Sequence, residues 1–170
     1  MAAFVREERP GDEPAIRRVN LAAFGTDAEA DLVDRLRAGG RLGLSLVAEL
    51  DGSIVGHIAF SAVTLEPERP GLRGTGLGPM AVIPDRQGRG IGSLLVREGI
   101  ARCRLDGLDF AVVLGHAHYY PRFGFVPASR FGLRCEWDVP DDVSMVMDLR
   151  PGALTRTDGT VRYQPEFGDV

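Results

Sequence analysis

Hydrophobic and polar positions along the first part of the chain predict one strand followed by two helices. The strand is predicted over Phe4 to Arg9. Asp12 precedes the first helix, where its carboxylate can cap free amide groups. Thr26 and Glu29 have the spacing of a capping box, which predicts the start of the second helix. The pair Gly39-Gly40 is expected to end that helix.

The middle of the chain has the pattern of a sheet. Leu46 to Leu50 and Ile54 to Leu65 are predicted strands of a hairpin, because Asp51-Gly52 between them tolerates the positive φ angles of a tight turn. Leu77 to Ile83 is a short apolar strand, and Phe110 to Leu114 is a continuous apolar run typical of a central strand covered on both faces. We therefore expect an α/β (α+β) fold with a mixed, mostly antiparallel sheet, parallel pairing at its centre and flanking helices.

The remaining elements complete one domain of ordinary size. The chain has 170 residues, of which 44% are hydrophobic, enough for a substantial core. A short helical segment is predicted around Tyr119 to Phe123, and a strand over Ser144 to Leu149. We predict one domain over residues 1–150, with residues 151–170 as a hairpin-like extension of it around Asp158-Gly159.

Composition excludes several classes of partner. The net charge is −4, so the basic excess expected of a nucleic-acid or anionic-membrane surface is missing. The two cysteines lie far apart without metal-ligand spacing, and no apolar run approaches the roughly 18 residues of a membrane span. The N-terminus becomes charged too early for a signal peptide. We expect a cytoplasmic protein with no metal, no membrane contact and no nucleic-acid partner.

The stretch PDRQGRGIGSLLV, residues 84–96, changes from a glycine-rich loop directly into an apolar helical run. Each of Gly88, Gly90 and Gly92 weakens a helix interior by roughly 0.5–1 kcal/mol relative to alanine, so their presence needs a reason. A helix N-terminus presents unpaired amides and a positive dipole end, and glycines let an anion approach them. The loop is therefore predicted to hold a phosphate, with Arg86 or Arg89 and the Ser93 hydroxyl adding contacts.

The loop alone leaves a second interpretation open. The same glycines could form a tight strand-to-helix turn in which they serve only packing. A nucleotide-binding P-loop is not indicated, because the pattern GxxxxGK[ST] is missing, and GRGIG is one residue shorter than the dinucleotide pattern GxGxxG.

The residues around the loop resemble the GNAT superfamily of acyl-CoA-dependent N-acyltransferases. The motif Gln87-x-x-Gly90-x-Gly92 matches the pyrophosphate signature of that family, and Tyr120-x-x-x-Gly124-Phe125 matches its second motif. The resemblance extends from Phe4 to Leu149. The segment GHAHYYPRFGF further resembles a bacterial branch of predicted acetyltransferases.

The resemblance implies acetyl-CoA as co-substrate. The strand at Met80 to Val82 would splay from its neighbour and pair with the pantetheine arm, and the amide of Met80 or Ala81 would stabilise the oxyanion. Pro79 suits this position because it has no ladder donor to lose. The residues implied to contact the co-substrate are Met80, Ala81, Val82, Arg86, Gln87, Gly88, Arg89, Gly90, Ile91, Gly92, Ser93, Tyr119, Tyr120 and Phe123.

Tyr120 is the family-matched group for the leaving thiolate, because a phenol near pKa 10 can hydrogen-bond to it or protonate it. Tyr119 and Phe123 are expected to pack around it. The strand before the loop contains no carboxylate, so the general base is unassigned. His116 and His118 follow the predicted central strand and can titrate in the useful range, and we take His116 as the candidate.

Other candidate bases rest on weaker arguments. Glu49 and Glu66 are candidates only by their proximity to strand ends, and His57 is expected to be structural.

Two functions fit these observations. The first is an N-acetyltransferase that moves acetyl from acetyl-CoA to a primary amine of a small molecule or peptide by direct attack. The second is a non-catalytic acyl-CoA-binding or regulatory module, prompted by the missing carboxylate. An exposed sheet edge in the tail is compatible with a homodimer.

Overall fold

The computed structural model describes residues 2–169 of the chain. Their helices and strands are β1 (Phe4–Glu7), α1 (Glu13–Phe24), α2 (Ala28–Ala38), β2 (Leu44–Leu50), β3 (Ser53–Glu66), β4 (Gly74–Val82), α3 (Ile91–Leu105), β5 (Phe110–Leu114), β6 (Val126–Pro127), β7 (Leu133–Cys135), β8 (Ser144–Asp148) and β9 (Gly159–Arg162). The predicted class is confirmed: the strands are mostly antiparallel, with a parallel pair formed by β4 and β5.

The chain forms two compact units. The first contains the residues up to Ser61, Gly78–Gly99 and the segment from Pro165 onward. The second contains Ala62–Leu77 and Ile100–Gln164.

In the first unit, β2 pairs antiparallel with β1 and with β3. The predicted hairpin is confirmed, with Asp51 at φ 52° and Gly52 at φ 79° in the turn. Helices α1 and α2 bury the apolar stripe that their sequence spacing predicts. The buried side chains of the two helices include Ile16, Val19, Leu32, Val33 and Leu36.

The two predicted helix caps are wrong in detail. The Asp12 side chain caps no helix amide; instead its carboxylate pairs with the Arg6 guanidinium at 2.8 Å and accepts the Arg9 amide at 2.7 Å. The carboxylate is therefore occupied by a guanidinium and by an amide that precedes the helix. Thr26 donates to the Glu29 carboxylate at 3.4 Å, and α2 begins at Ala28 without a side-chain cap.

Helix α3 packs closely on β3 within the first unit. Its apolar run is buried, since Leu95 and Val96 are fully buried. A Cβ atom added to Gly99 would lie 2.5 Å from Cζ of the Phe60 ring, closer than packed atoms come. Glycine at this position therefore allows the helix to approach the sheet.

Gly99→Ala is expected to lower the free energy of unfolding by about 1–3 kcal/mol, because the added methyl overpacks the core. Chemical denaturation monitored by circular dichroism measures the loss. Gly168→Ala is the matched control, since a Cβ atom there meets nothing within 4 Å and should leave the midpoint unchanged. Equal midpoints for both variants would contradict the close packing of α3.

In the second unit, β5 lies between β4 and β8. It pairs in parallel with β4 from Gly74↔Phe110 to Leu77↔Val113, and antiparallel with β8. This confirms that the FAVVL run is a central strand. Its core members include Phe110 and Val112, packed with Val146 and Val161.

The tail differs from the predicted hairpin. It contributes the strand β9, which pairs antiparallel with β3 at Thr64↔Arg162 and in parallel with β7 at Leu133↔Gly159. The residues before the turn bond elsewhere, because the amides of Thr157 and Asp158 both donate to the Phe131 carbonyl. These amides are therefore occupied and do not form a second strand beside β9.

Candidate functional site

The end of β4 leads into the glycine loop. The parallel register of β4 with β5 covers Gly74 to Leu77, whereas β4 itself continues to Val82. The side chains of Ala81 and Val82 are buried, and Met80 is half-buried. The side chains of Ala81 and Val82 thus pack in the core.

Backbone and side-chain hydrogen bonds hold the loop at the end of β4. The Ile83 amide donates to the Val55 carbonyl at 2.9 Å, and the Arg86 amide donates to the Ile83 carbonyl at 2.9 Å. The Gln87 side-chain nitrogen donates to the Val82 carbonyl at 2.9 Å. The Gln87 side chain therefore ties the loop to the strand.

Gly88 and Gly90 are needed for the backbone conformation of the loop. Their φ angles are 73° and 84°, in the left-handed region that side chains rarely adopt. A Cβ atom added to either would meet nothing within 4 Å. These two glycines pack against nothing in the part of the chain that the structure describes, so the packing interpretation does not explain them.

The start of α3 offers donors for an anion. The helix starts at Ile91 and the Leu94 amide donates to the Gly90 carbonyl at 3.0 Å, so the amides of Ile91 and Gly92 lie in the first turn, before the helical ladder. These amides lie at the positive end of the helix dipole. Nε of Arg86 is buried and has no hydrogen-bond acceptor among residues 2–169. The loop thus combines a dipole end with a half-buried arginine whose Nε is enclosed.

Tyr120 lies in the second unit, at the start of a 3-10 helix over Tyr120–Phe123. Its side chain is 6% exposed. The ring makes edge contacts with Phe125 and Tyr119, with centroids 5.8 Å and 5.1 Å away. Burial, followed by the neighbouring Tyr119, raises the pKa of Tyr120 to about 12. The phenol is therefore held in a packed aromatic cluster and keeps its proton at neutral pH.

Tyr119 and Phe123 complete this aromatic cluster. Their rings meet edge to face at 5.2 Å, and the Arg122 guanidinium lies 4.8 Å from the Tyr119 ring centroid. The expected packing of both side chains is confirmed.

His116 and His118 are exposed in the loop that follows β5. The His116 carbonyl accepts the amides of Tyr119 at 3.0 Å and Tyr120 at 3.3 Å, which helps to form the turn before the 3-10 helix. The role of His116 as a base stays a prediction.

His57 is structural, as predicted. It is fully buried in the first unit, where Asn20 Nδ2 lies 3.2 Å from Nδ1 and Ser45 Oγ lies 2.9 Å from Nε2. Because the asparagine nitrogen can only donate, Nδ1 accepts and Nε2 carries the proton toward Ser45. Burial lowers the pKa of His57 to about 4.

The hydrogen-bond chain from His57 continues to charged residues that the sequence did not single out. Ser45 donates to Glu8 at 2.7 Å, and Arg37 pairs with the same carboxylate at 2.7 Å. A cleft of about 300 Å³ lies beside these groups. Since the partners are far apart in the sequence and satisfy one another, neither spacing nor a motif predicted them.

The predicted site residues fall into two groups. The first unit holds Met80, Ala81, Val82, Arg86, Gln87, Gly88, Arg89, Gly90, Ile91, Gly92 and Ser93, and the second holds His116, Tyr119, Tyr120 and Phe123. Within residues 2–169, no helix is both long and apolar enough to cross a membrane. In the same range, no three His, Cys, Asp or Glu side chains are grouped so that they could hold a metal ion.

Comparison with known sequences identifies the family. Residues 41–127 match the family model described as an acetyltransferase (GNAT) domain. The chain is 38% identical over 165 residues to the uncharacterized N-acetyltransferase YhbS of Escherichia coli strain K12. That match covers 96% of this chain and 98% of YhbS.

Solved structures show the same fold. The structure of Escherichia coli YhbS in complex with CoA matches with a TM-score of 0.93 at 38% identity, covering 98% of this chain and 92% of the other. A GNAT family acetyltransferase from Brucella melitensis in complex with acetyl-CoA matches with a TM-score of 0.81 at 39% identity, covering 98% of both chains. This chain therefore belongs to the GNAT family of N-acetyltransferases.

Proposed function

We propose that this enzyme transfers the acetyl group of acetyl-CoA to a primary amine of a small molecule or peptide, with residues 86–93 as the pyrophosphate site. The observation that carries the proposal is the glycine loop at the start of α3. Gly88 and Gly90 adopt left-handed conformations there, beside the amides of Ile91 and Gly92 at the helix start and the buried Arg86 Nε. The CoA and acetyl-CoA bound to the two similar structures support this assignment.

The proposed chemistry is a direct attack. The neutral amine nitrogen bonds to the thioester carbonyl carbon, the carbon–sulfur bond breaks, sulfur leaves as a thiolate, and the amine loses one proton. The amide of Met80 or Ala81 is proposed to stabilise the oxyanion, as preorganised donors do in acyl transfer. His116 is the proposed acceptor of the amine proton.

The Tyr120 hydroxyl is proposed to stabilise the leaving thiolate. A pKa of about 12 means that the phenol binds its proton more tightly than a thiolate, whose acid has a pKa of about 8.5 in cysteine. The hydroxyl therefore serves by donating a hydrogen bond and keeps its proton. This refines the acid role that the resemblance implies.

Isothermal calorimetry with acetyl-CoA tests the loop. We expect the wild type to bind in the micromolar range and Gly90→Glu to bind at least roughly tenfold more weakly, because a carboxylate then occupies the anion position. Gly90→Ala is the matched control, since it brings the same backbone strain without the charge. It should lose clearly less affinity than Gly90→Glu.

Two outcomes would contradict the proposal. Equal loss of affinity in Gly90→Ala and Gly90→Glu would attribute the effect to backbone strain. Absence of acetyl-CoA binding by the wild type would remove the pyrophosphate site altogether.

A turnover assay distinguishes the proposed enzyme from the alternative, a non-catalytic acyl-CoA-binding module. The assay follows free thiol released from acetyl-CoA with free lysine, a short peptide with a free amino terminus, or an aminoglycoside as acceptor. Steady turnover with one of these amines supports the enzyme, and tight binding of acetyl-CoA without turnover on any of them supports the module.

A further inference from the structure

Gly115 lies between β5 and the 3-10 helix that begins with Tyr120. Its amide donates to the Val143 carbonyl at 3.0 Å, which holds the residue beside β8. A Cβ atom built on Gly115 would lie 2.8 Å from Cδ2 of Tyr120 and closer still to Cε2. Packed side chains do not approach so closely. The Tyr120 ring therefore rests directly on the backbone of Gly115.

The backbone conformation does not explain this glycine. Gly115 is not among the residues with positive φ, so its main chain lies in a region that other residues adopt. The position needs glycine because of the tyrosine ring beside it. Gly88 and Gly90 differ in both respects, because their φ angles are left-handed and an added Cβ atom would meet nothing within 4 Å.

Other rings limit where the Tyr120 ring can move. The Phe125 ring contacts it at a centroid distance of 5.8 Å and an interplanar angle of 81°, and the Tyr119 ring contacts it at 5.1 Å and 83°. A methyl group at residue 115 would therefore push the ring within a packed cluster. The ring would tilt, and its hydroxyl would be displaced with it.

We propose that Gly115 is the positioning residue that sets where the Tyr120 hydroxyl lies. This inference rests on the proposed role of Tyr120 in stabilising the thiolate. In this role Gly115 acts through the ring of Tyr120. A hydrogen bond weakens steeply when its length and angle change, so a displaced hydroxyl stabilises the leaving sulfur less well.

Steady-state kinetics of Gly115→Ala, with acetyl-CoA and the amine that is acetylated fastest, test the inference. We expect kcat to fall roughly tenfold, because small misplacements of a catalytic group are costly, while KM for acetyl-CoA stays near the wild-type value. In a Tyr120→Phe background the same substitution should cause no further loss of kcat. Gly168→Ala serves as the control glycine and should leave kcat unchanged.

A spectroscopic measurement tests the geometry without turnover. Carbon-13 labelling of tyrosine at Cζ gives a resonance for Tyr120 that disappears in Tyr120→Phe. We expect Gly115→Ala to shift this resonance while that of Tyr163 stays in place. If Gly115→Ala is too unstable for these spectra, thermal melts at a lower starting temperature replace them. The substitution should then lower the melting temperature less in a Tyr120→Leu background, where the ring is gone.

The outcomes separate this inference from the proposed function. If Tyr120→Phe keeps the wild-type kcat, the role of Tyr120 fails. If Tyr120→Phe is slow but Gly115→Ala is fast or leaves the resonance in place, only the role of Gly115 is overturned. An equal loss of kcat from Gly115→Ala with and without the hydroxyl overturns it as well, as does a loss of stability that Tyr120→Leu does not relieve.

Discussion

Tyr120→Phe is expected to lower kcat roughly a hundredfold while the KM for acetyl-CoA stays near its wild-type value, as found when a preorganised donor is removed. The substitution keeps the ring in its aromatic cluster and removes only the hydroxyl. The thiolate would then leave without the hydrogen bond from this hydroxyl. Steady-state kinetics with a saturating amine measure the effect.

The pH dependence of this prediction has a definite sign. Because burial raises the pKa of Tyr120 to about 12, the phenol stays protonated from neutral pH to about pH 10. The wild-type kcat should therefore not fall in that range through ionisation of Tyr120. A decline of kcat with an apparent pKa near 10 that Tyr120→Phe abolishes would contradict the buried environment.

Tyr163→Phe is the matched control, because it removes the hydroxyl of the tyrosine outside the aromatic cluster. It should leave kcat close to the wild-type value. If both variants lose activity to the same extent, loss of a hydroxyl anywhere in the second unit explains the result, and the specific role of Tyr120 is wrong.

The protein should lose stability between pH 6.5 and about 4, because His57 must remain neutral in the folded state. Its folded pKa of about 4 lies below the ordinary value of 6.5, mainly through burial, with Glu8 raising it and Arg37 lowering it further. The unfolded chain therefore binds the proton more readily in this window. The contribution of neutral His57 to the free energy of unfolding is fully present above pH 6.5. It decreases as the pH falls toward 4, by about 3 kcal/mol in total.

His57→Gln isolates this contribution, since glutamine can still donate to Ser45 but does not titrate. We expect a lower free energy of unfolding at pH 7.5 and a weaker pH dependence between 6.5 and 4.5, measured by urea denaturation. The exposed His118 provides the control, so that His118→Gln should keep the wild-type slope. An unchanged slope in His57→Gln would show that other groups cause the acid sensitivity.

Glu8 contributes in a lower pH range. Burial raises the pKa of its carboxyl, but the hydrogen bonds from Arg37 and Ser45 outweigh that effect, so the pKa lies below 4.5. Stability from this group is present above its ordinary pKa and is lost only as the pH falls below it. Between pH 6.5 and 4.5, His57 rather than Glu8 therefore causes the expected loss of stability.

Much of the fold could be predicted from local sequence patterns. The strand Phe110 to Leu114 has the predicted bounds, and the hairpin turns at Asp51-Gly52 as expected. Burial periodicity and turn dihedrals depend on residues close together in the chain, so a single sequence contains that information. The glycine loop was predicted for the same reason, because its motif is continuous.

Side-chain partners far apart in the sequence could not be predicted in this way. Asp12 has the position of a helix cap but pairs with Arg6, and Gln87 matches a ligand motif but bonds to Val82. The tail has a turn signal, yet its strand pairs with β3 and β7. In each case several partners satisfy the local chemistry, and the packed fold selects one of them.

The sequence by itself determined the family resemblance, the hairpin and the glycine loop before α3, since each is encoded by adjacent residues. Only the tertiary structure decided that His57 is neutral and that the Tyr120 ring rests on Gly115. Both results depend on burial and on distances between groups brought together by folding. These quantities determine the pKa of a side chain and the position of its reactive atom, and spacing along the chain does not specify either.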